Sequence, residues 1–189
     1  MDQPQSRYHI SEERMQEELE LISKSVKDPA VFKTLYQRYH EPVFRFIYQR
    51  LDDEQTAADV TSQVFCKALL NLKKYTHRGL PFSSWLYRIA KNEVYTLFEK
   101  NKATRTLNVY TESFPELIGD MEEDNKEELY QKLTKVIASL PEEELQLIEL
   151  RYFDGMRFKE VAEVLDITEN NAKVKTYRVL EKMKKQLLS

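Results

Sequence analysis

One cysteine, Cys66, leaves no intrachain disulfide to form and fits a reducing compartment. With three glycines and six prolines in 189 residues, the chain is poorly supplied for the tight turns of a loop-rich β protein. No apolar run is long enough for a membrane span, and residues 1–10 are too polar for a signal peptide. These shortages predict a cytoplasmic protein with no membrane insertion. The three histidines, His9, His40 and His77, are scattered, with no cysteine or carboxylate at ligand spacing, so neither a metal site nor a cofactor is expected. A Gly-rich phosphate loop and a nucleophile motif are missing too, which argues against an enzyme.

What is present forms helices. Apolar residues make up 41% of the chain, enough for a core in one domain or two small ones. Their spacing is helical throughout, with no convincing strand alternation, and the fold class expected is all-α. The formal net charge is −3, which taken alone argues against a nucleic-acid partner. The distribution of that charge points the other way. From position 67 to 105 nine Lys or Arg stand against only Glu93 and Glu99, and from 168 onward six stand against Glu169 and Glu181. The compensating acid lies in 11–28 and 112–128. Segregated charge makes local fields that a net figure hides.

In chain order, 1–10 reads as disordered, or ordered only against something else. A helix is expected from Ser11, with Met15, Leu19 and Ile22 inward. Asp28 and Pro29, a capping carboxylate followed by proline at the first helical position, begin the next. Its stripe runs through Phe32, Leu35 and Tyr39 and continues after Pro42, which should bend or restart the helix near His40 and Glu41. Asp52 and Asp53 open a third helix. There Ala57, Val60, Val64, Phe65, Ala68, Leu69 and Leu72 face inward, while Asp59, Ser62, Gln63, Cys66 and Lys67 form a polar stripe. The basic stretch 71–81 carries the strongest breakers, Gly79 and Pro81. A fourth helix over 82–100 turns Leu86, Ile89, Ala90, Val94 and Leu97 inward, leaving Tyr87, Arg88, Lys91, Asn92 and Tyr95 outside. Periodicity then fails over 101–125, an acidic linker. It resumes at 126–140 and again from Pro141, stopping at Asp154 and Gly155. Two helical domains result, 11–100 and 126–189.

The second domain ends on the most telling stretch, 157–187. Phe158, Val161, Ala162 and Leu165 share one helical face; Asp166, Ile167 and Thr168 interrupt it. Thr168 or Asn170 caps a second helix. Ala172, Thr176, Val179, Leu180, Met183 and Leu187 make its inner stripe, and Asn170, Asn171, Lys175, Tyr177, Arg178, Lys182 and Lys185 its outer face. Two short helices around a tight turn, the second basic outside, have the layout of a helix-turn-helix DNA reader. An ordinary surface pair solvated by lysines is the plainer alternative.

Taken together, the runs resemble the bacterial extracytoplasmic-function sigma factors, group four of the primary sigma family. Residues 59–65, DVTSQVF, resemble that family's DLTQExF run, and 82–92, FSSWLYRIAKN, its FxxWLxxIAxN signature. Leu140, Pro141 and Glu142, the LRYFDG run at 150–155 and the VAE run at 161–163 resemble its second lobe. The likeness covers roughly 31–183, apart from the linker. Some positions depart from the pattern: Ser62 and Gln63 replace a Gln-Glu pair, Thr96 and Glu99 an Asp and an Arg, Asp166 the glycine of the turn, and Arg157 a capping serine. These alter specificity more readily than function.

The resemblance implies an alternative sigma factor that does no covalent chemistry but gives core RNA polymerase its promoter recognition. Domain 11–100 would be sigma region 2 and domain 126–189 sigma region 4. Asp59, Ser62, Gln63 and Lys67 would hold the polymerase. The helix-turn-helix would read the −35 element as duplex, with Asn170, Asn171, Lys175 and Arg178 on base edges and Lys173, Tyr177 and Lys182 on phosphates. The loop 74–82 would accept an extruded base of the −10 element as single strand. Tyr75, His77 and Arg78 are its candidates, with Lys74, Arg88, Lys91 and Asn92 along the backbone path. Trp85 is either a core residue beneath that loop or a melting wedge. Tyr87 and Tyr95 are open between surface packing and DNA contact. Expected partners are core RNA polymerase, promoter DNA and an anti-sigma factor, with the free protein a monomer associating with the nucleoid in the holoenzyme. Alone, the chain should bind duplex weakly, since its acidic segments oppose its basic ones. The rival reading is a stand-alone helix-turn-helix regulator acting as a dimer on palindromic duplex, with 1–125 as a sensory lobe.

Overall fold

The computed structural model describes residues 12–51, 53–101 and 126–187. The expectations for 1–10, Ser11, Asp52 and the linker beyond position 101 lie outside the described residues. Within them there are eight α-helices and no strand. The chain divides into two compact units, Met1–Thr106 and Leu107–Ser189.

In the first unit α1 (Glu12–Lys27) leads through a 3-10 turn into α2 (Phe32–Leu51), followed by α3 (Glu54–Asn71) and α4 (Phe82–Asn101). The two expected aspartate caps are formed. Asp28 accepts from the Ala30 N–H at 3.0 Å, and Asp53 from the Thr56 N–H at 2.7 Å. The helices α2, α3 and α4 pack pairwise around Leu35, Val43, Ile47, Val64, Leu86 and Val94, all fully buried. Pro42 does not divide α2, which runs unbroken from Phe32 to Leu51. The proline sits on the exposed side, while Tyr39, Val43 and Phe46 stay buried on either side of it, so packing holds the helix together across the missing hydrogen bond.

Two buried charges in this unit, Glu18 and Arg50, stand at stripe positions of their helices where an apolar side chain is the ordinary occupant. Arg50 lies over the Phe46 ring at 3.7 Å and donates to the Phe46 carbonyl at 2.8 Å, while Tyr87 packs on the same ring at 4.9 Å. Glu18 is 2% exposed. Tyr39 donates its hydroxyl to one Glu18 oxygen, the backbone N–H of Phe82 donates to the other at 3.2 Å, and Arg38 lies 3.6 Å away. Burial holds the Glu18 carboxyl above its ordinary range, against the pull of the Phe82 N–H and Arg38.

In the second unit α5 (Lys126–Ala138) is followed by α6 (Glu142–Ile148), which widens into a π-helical turn over Glu149–Phe153, then α7 (Phe158–Leu165) and α8 (Glu169–Leu187). Helix α8 packs against α5, α6 and α7. Leu133, Ile137, Ile148, Leu150, Met156, Val161 and Met183 form the core. The π turn departs from the regular helix expected here. Leu147, Ile148, Glu149 and Leu150 are buried in succession, the last two within the widened turn, so this segment is covered on more than one side. Asp154 and Gly155 end the segment as predicted, with Gly155 at φ +70°.

Candidate nucleic-acid and polymerase interfaces

The turn between α7 and α8 is built on one unusual residue. Asp166 adopts φ 57°, ψ 44°, the left-handed conformation that glycine enters most cheaply. The Ile167 N–H returns to the Ala162 carbonyl at 3.0 Å and the Asp166 N–H to that of Glu163 at 3.4 Å, which closes a Schellman motif. Thr168, rather than Asn170, caps α8: its hydroxyl accepts from the Asn171 N–H at 3.2 Å. The other end of α7 is half capped. Glu160 accepts from the Arg157 N–H at 2.8 Å, but Arg157 has no acceptor to offer in return. The buried face of α7 differs from the expected one by a residue, with Val164 inside and Leu165 and Phe158 half-buried.

Helix α8 buries Ala172, Thr176, Val179, Leu180 and Met183 and exposes Asn170, Asn171, Lys173, Tyr177 and Arg178. Tyr177 is braced from behind. Its ring lies 6.0 Å from Phe158, and the Arg151 guanidinium sits 4.9 Å over Phe158. Lys175 and Lys182 lean toward the first turn of α6: Lys175 is 3.9 Å from Glu143 and Lys182 is 2.6 Å from Glu144. Val174, 39% exposed, joins the outer face without having stood out in the sequence. Its position between Lys173 and Lys175 hid an apolar contact surface suited to a thymine methyl.

In the first unit the loop between α3 and α4 rests on aromatic rings. Tyr75 lies 5.2 Å from Trp85 and 5.3 Å from Phe82, Phe82 lies 5.4 Å from Trp85, and Tyr39 closes the cluster 6.0 Å from Phe82. Trp85 is therefore half-buried beneath the loop, packed among rings. Lys74 and Arg78 are exposed above it, and Gly79 turns the chain at φ +67°. His77 is half-buried, and its Nδ1 is enclosed with no hydrogen-bond partner among the described residues. Along α4, Arg88 and Lys91 are half-buried, Asn92 is exposed, and Lys91 stands 6.0 Å over the Tyr95 ring. These four sit at i, i+3, i+4 and i+7, on one face leading away from the loop. Tyr87 is not on that face. It is 3% exposed against Phe46, so the outward placement expected of it is wrong. Helical phase from Leu86 alone does not show how wide the buried arc is.

On α3 the residues Asp59, Ser62, Gln63 and Lys67 are all exposed along one side. Lys67 also grips Glu93 of α4 through both carboxylate oxygens, at 2.6 and 2.7 Å. The same side ends in Leu70, 80% exposed, an apolar position that the polar stripe concealed.

Residues 35–104 match the family Sigma-70 region 2, and residues 130–183 match Sigma-70, region 4. The chain is 27% identical over 175 residues to the ECF RNA polymerase sigma factor BldN of Streptomyces coelicolor, a match covering 89% of this chain and 65% of BldN. It is 27% identical over 184 residues to SigW of Bacillus subtilis, covering 88% of this chain and 97% of that one. With SigM of the same organism the identity is 24% over 156 residues, covering 79% and 91%. The chain belongs to the extracytoplasmic-function sigma factors.

This sigma factor directs promoter-specific transcription as an alternative to the housekeeping sigma factor, and a stand-alone regulator is not favoured, since that reading leaves the region 2 match without a role. In fold it resembles CnrH, solved in complex with the cytosolic domain of CnrY, with a TM-score of 0.57 at 19% identity over 88% of this chain and 94% of that chain. Its departures from the family pattern now have physical content. Asp166 takes up the left-handed turn that glycine would occupy, and Arg157 leaves α7 with one capping bond where serine would give two.

Proposed function

We propose that this sigma factor grips core RNA polymerase through the α3 side carrying Asp59, Ser62, Gln63 and Lys67, and that its two units read the promoter in two states. Unit 126–189 lays α8 in the major groove of the −35 duplex, with Asn170, Asn171, Lys175 and Arg178 toward base edges and Lys173, Tyr177 and Lys182 toward phosphates. A matched bidentate contact discriminates by about 1–3 kcal/mol, so a few suffice for a short element. Unit 11–100 takes the −10 element as opened strand. Unstacking a base costs a few kcal/mol, and stacking on an aromatic returns about 1–3 kcal/mol. Tyr75, backed by Trp85 and Phe82, offers such a surface, with His77 and Arg78 beside it and Lys74, Arg88, Lys91 and Asn92 for the backbone. Linker 101–125 ties the two units. Core polymerase, promoter DNA and an anti-sigma factor are the partners, in the cytoplasm, with the free chain a monomer.

The observation that carries this reading is the outward row of α8, where Asn170, Asn171, Lys173, Tyr177 and Arg178 are exposed over a buried inner stripe. Run-off transcription with purified core polymerase on genomic fragments tests it. Transcripts whose start sites share two spaced elements are expected. Failure to associate with core, or initiation unchanged after charge reversal at both Arg78 and Arg178, would overturn it.

A further inference from the structure

Glu18 is a buried carboxylate that ties α1 to both α2 and α4. Its hydrogen-bond donors lie 21 and 64 residues away in sequence: the Tyr39 hydroxyl on α2, beside which Arg38 stands 3.6 Å from the same oxygen, and the backbone N–H of Phe82, the first residue of α4. Phe82 is where the loop proposed to take the opened strand ends. Helix α1 also packs against the turn Leu72–Lys74, where that loop begins. A single helix thus touches both ends of the loop, and the contact at the far end is a hydrogen bond to the backbone itself. Phe82 is 1% exposed and is the hub of the ring cluster that includes Tyr75 and Trp85. A shift of its main chain must move those rings, because a close-packed cluster transmits displacement. An N–H at the first turn of a helix has no intrahelical acceptor, and Glu18 supplies one from another helix.

We propose that Glu18 is a positioning residue for strand opening: by holding the Phe82 N–H it sets where the loop 74–82 and its aromatic floor stand. This rests on the reading of that loop as the −10 site. The acceptor geometry makes the requirement specific. Glutamine can accept from Phe82 with its oxygen and donate to the Tyr39 oxygen with its amide, whereas methionine of similar length has no donor and only a weak sulfur acceptor.

Trp85 is the chain's only tryptophan, so its fluorescence reports the cluster directly. Glu18→Met is expected to shift Trp85 emission to the red and raise its quenching by acrylamide, with helicity and association with core polymerase retained. Holoenzyme carrying it should form about tenfold fewer open complexes on a linear duplex promoter recovered by run-off transcription, read by permanganate reactivity. On the same fragment with mismatched strands across the −10 element the defect should largely vanish. Glu18→Gln should behave like the wild type in both assays. Should Glu18→Met lose helicity, Tyr39→Phe, which keeps the ring and removes only the hydroxyl, carries the test with a smaller shift in the same directions. Unchanged Trp85 emission, equal losses on duplex and mismatched templates, or a Gln variant as impaired as Met would each overturn the proposal. The combined variant Lys74→Ala and Arg78→Ala separates the two layers. If it opens duplex normally, the loop is not the −10 site and the proposal falls with it. If it is impaired while Glu18→Met is not, only the role of Glu18 falls.

Discussion

Lys182 has two claims on it, and they can be told apart. In the free protein its ammonium lies 2.6 Å from Glu144, with the two side chains 43% and 31% exposed. Pairs this wet contribute about 0.2–1 kcal/mol, so the bridge is too weak to keep the lysine from a phosphate. If Lys182 contacts the −35 backbone, Lys182→Ala should lower the slope of log affinity against log salt by about 0.9. Across a fourfold change in salt that amounts to about 3.5-fold less variation. Glu144→Gln should do the opposite. Releasing the ammonium can raise duplex affinity by at most about fivefold, the equivalent of the full 1 kcal/mol. Both variants should lose no more than that same amount of thermal stability. The assay is fluorescence anisotropy of holoenzyme on a labelled promoter duplex at several salt concentrations, with the wild type alongside so that the polymerase's own contacts cancel. An unchanged slope for Lys182→Ala, with unchanged affinity for Glu144→Gln, would make the lysine a strut between α8 and α6 and remove it from the DNA contacts.

Three further outcomes follow from the geometry. A left-handed residue other than glycine costs about 1–2 kcal/mol, offset in part by the chain entropy that glycine gives up, so Asp166→Gly should raise the melting temperature of the second unit by a few degrees and Asp166→Val should lower it; a Val variant as stable as the wild type would rule out the left-handed turn. Because burial raises the Glu18 pKa above 4.5, the native state holds that proton more tightly than the unfolded chain, and stability falls as pH rises from 4.5 through the folded value. Glu18→Gln should therefore be more stable than the wild type at neutral pH, with the difference shrinking as pH drops through that window; a pH-independent difference in urea titrations would contradict it. Arg178→Ala should cost about 1–3 kcal/mol and abolish preference at one base pair, whereas Lys173→Ala should weaken all sequences alike, and transcription from single-substitution promoter libraries distinguishes the two.

Much of the fold is readable from the chain because its signals are local. Asp28 and Asp53 announce their helices by chemistry confined to a few residues, and the inner stripe of α8 is strictly periodic. The misses share a cause, which is tertiary context. Pro42 reads as a breaker until the apolar residues on both sides are seen to be buried in one core. Glu18 reads as one more charge in an acidic helix, although its spacing to Ile22 and Ser25 puts it on the buried stripe; only its partners on α2 and α4 explain why a carboxylate stands there. The phase of α4 puts Tyr87 outside, and Phe46, a residue 41 positions earlier, draws it in. Side-chain chemistry is enough to name the candidate DNA contacts, and the structure adds what chemistry cannot supply: the acids that Lys175 and Lys182 already face, and the rings behind Tyr75 and Tyr177.

The π turn at Glu149–Phe153 is a store of chain that the second unit can lose without being re-aimed. A π turn spreads about one more residue over the rotation of an α-turn, so the extra residue bulges out while the chain on either side keeps its course. Deleting one residue there would let the backbone relax into ordinary winding at little local expense and leave the start of α7 close to its present place. One residue removed from the middle of α8 has no such outlet, and would turn every later side chain by about 100°.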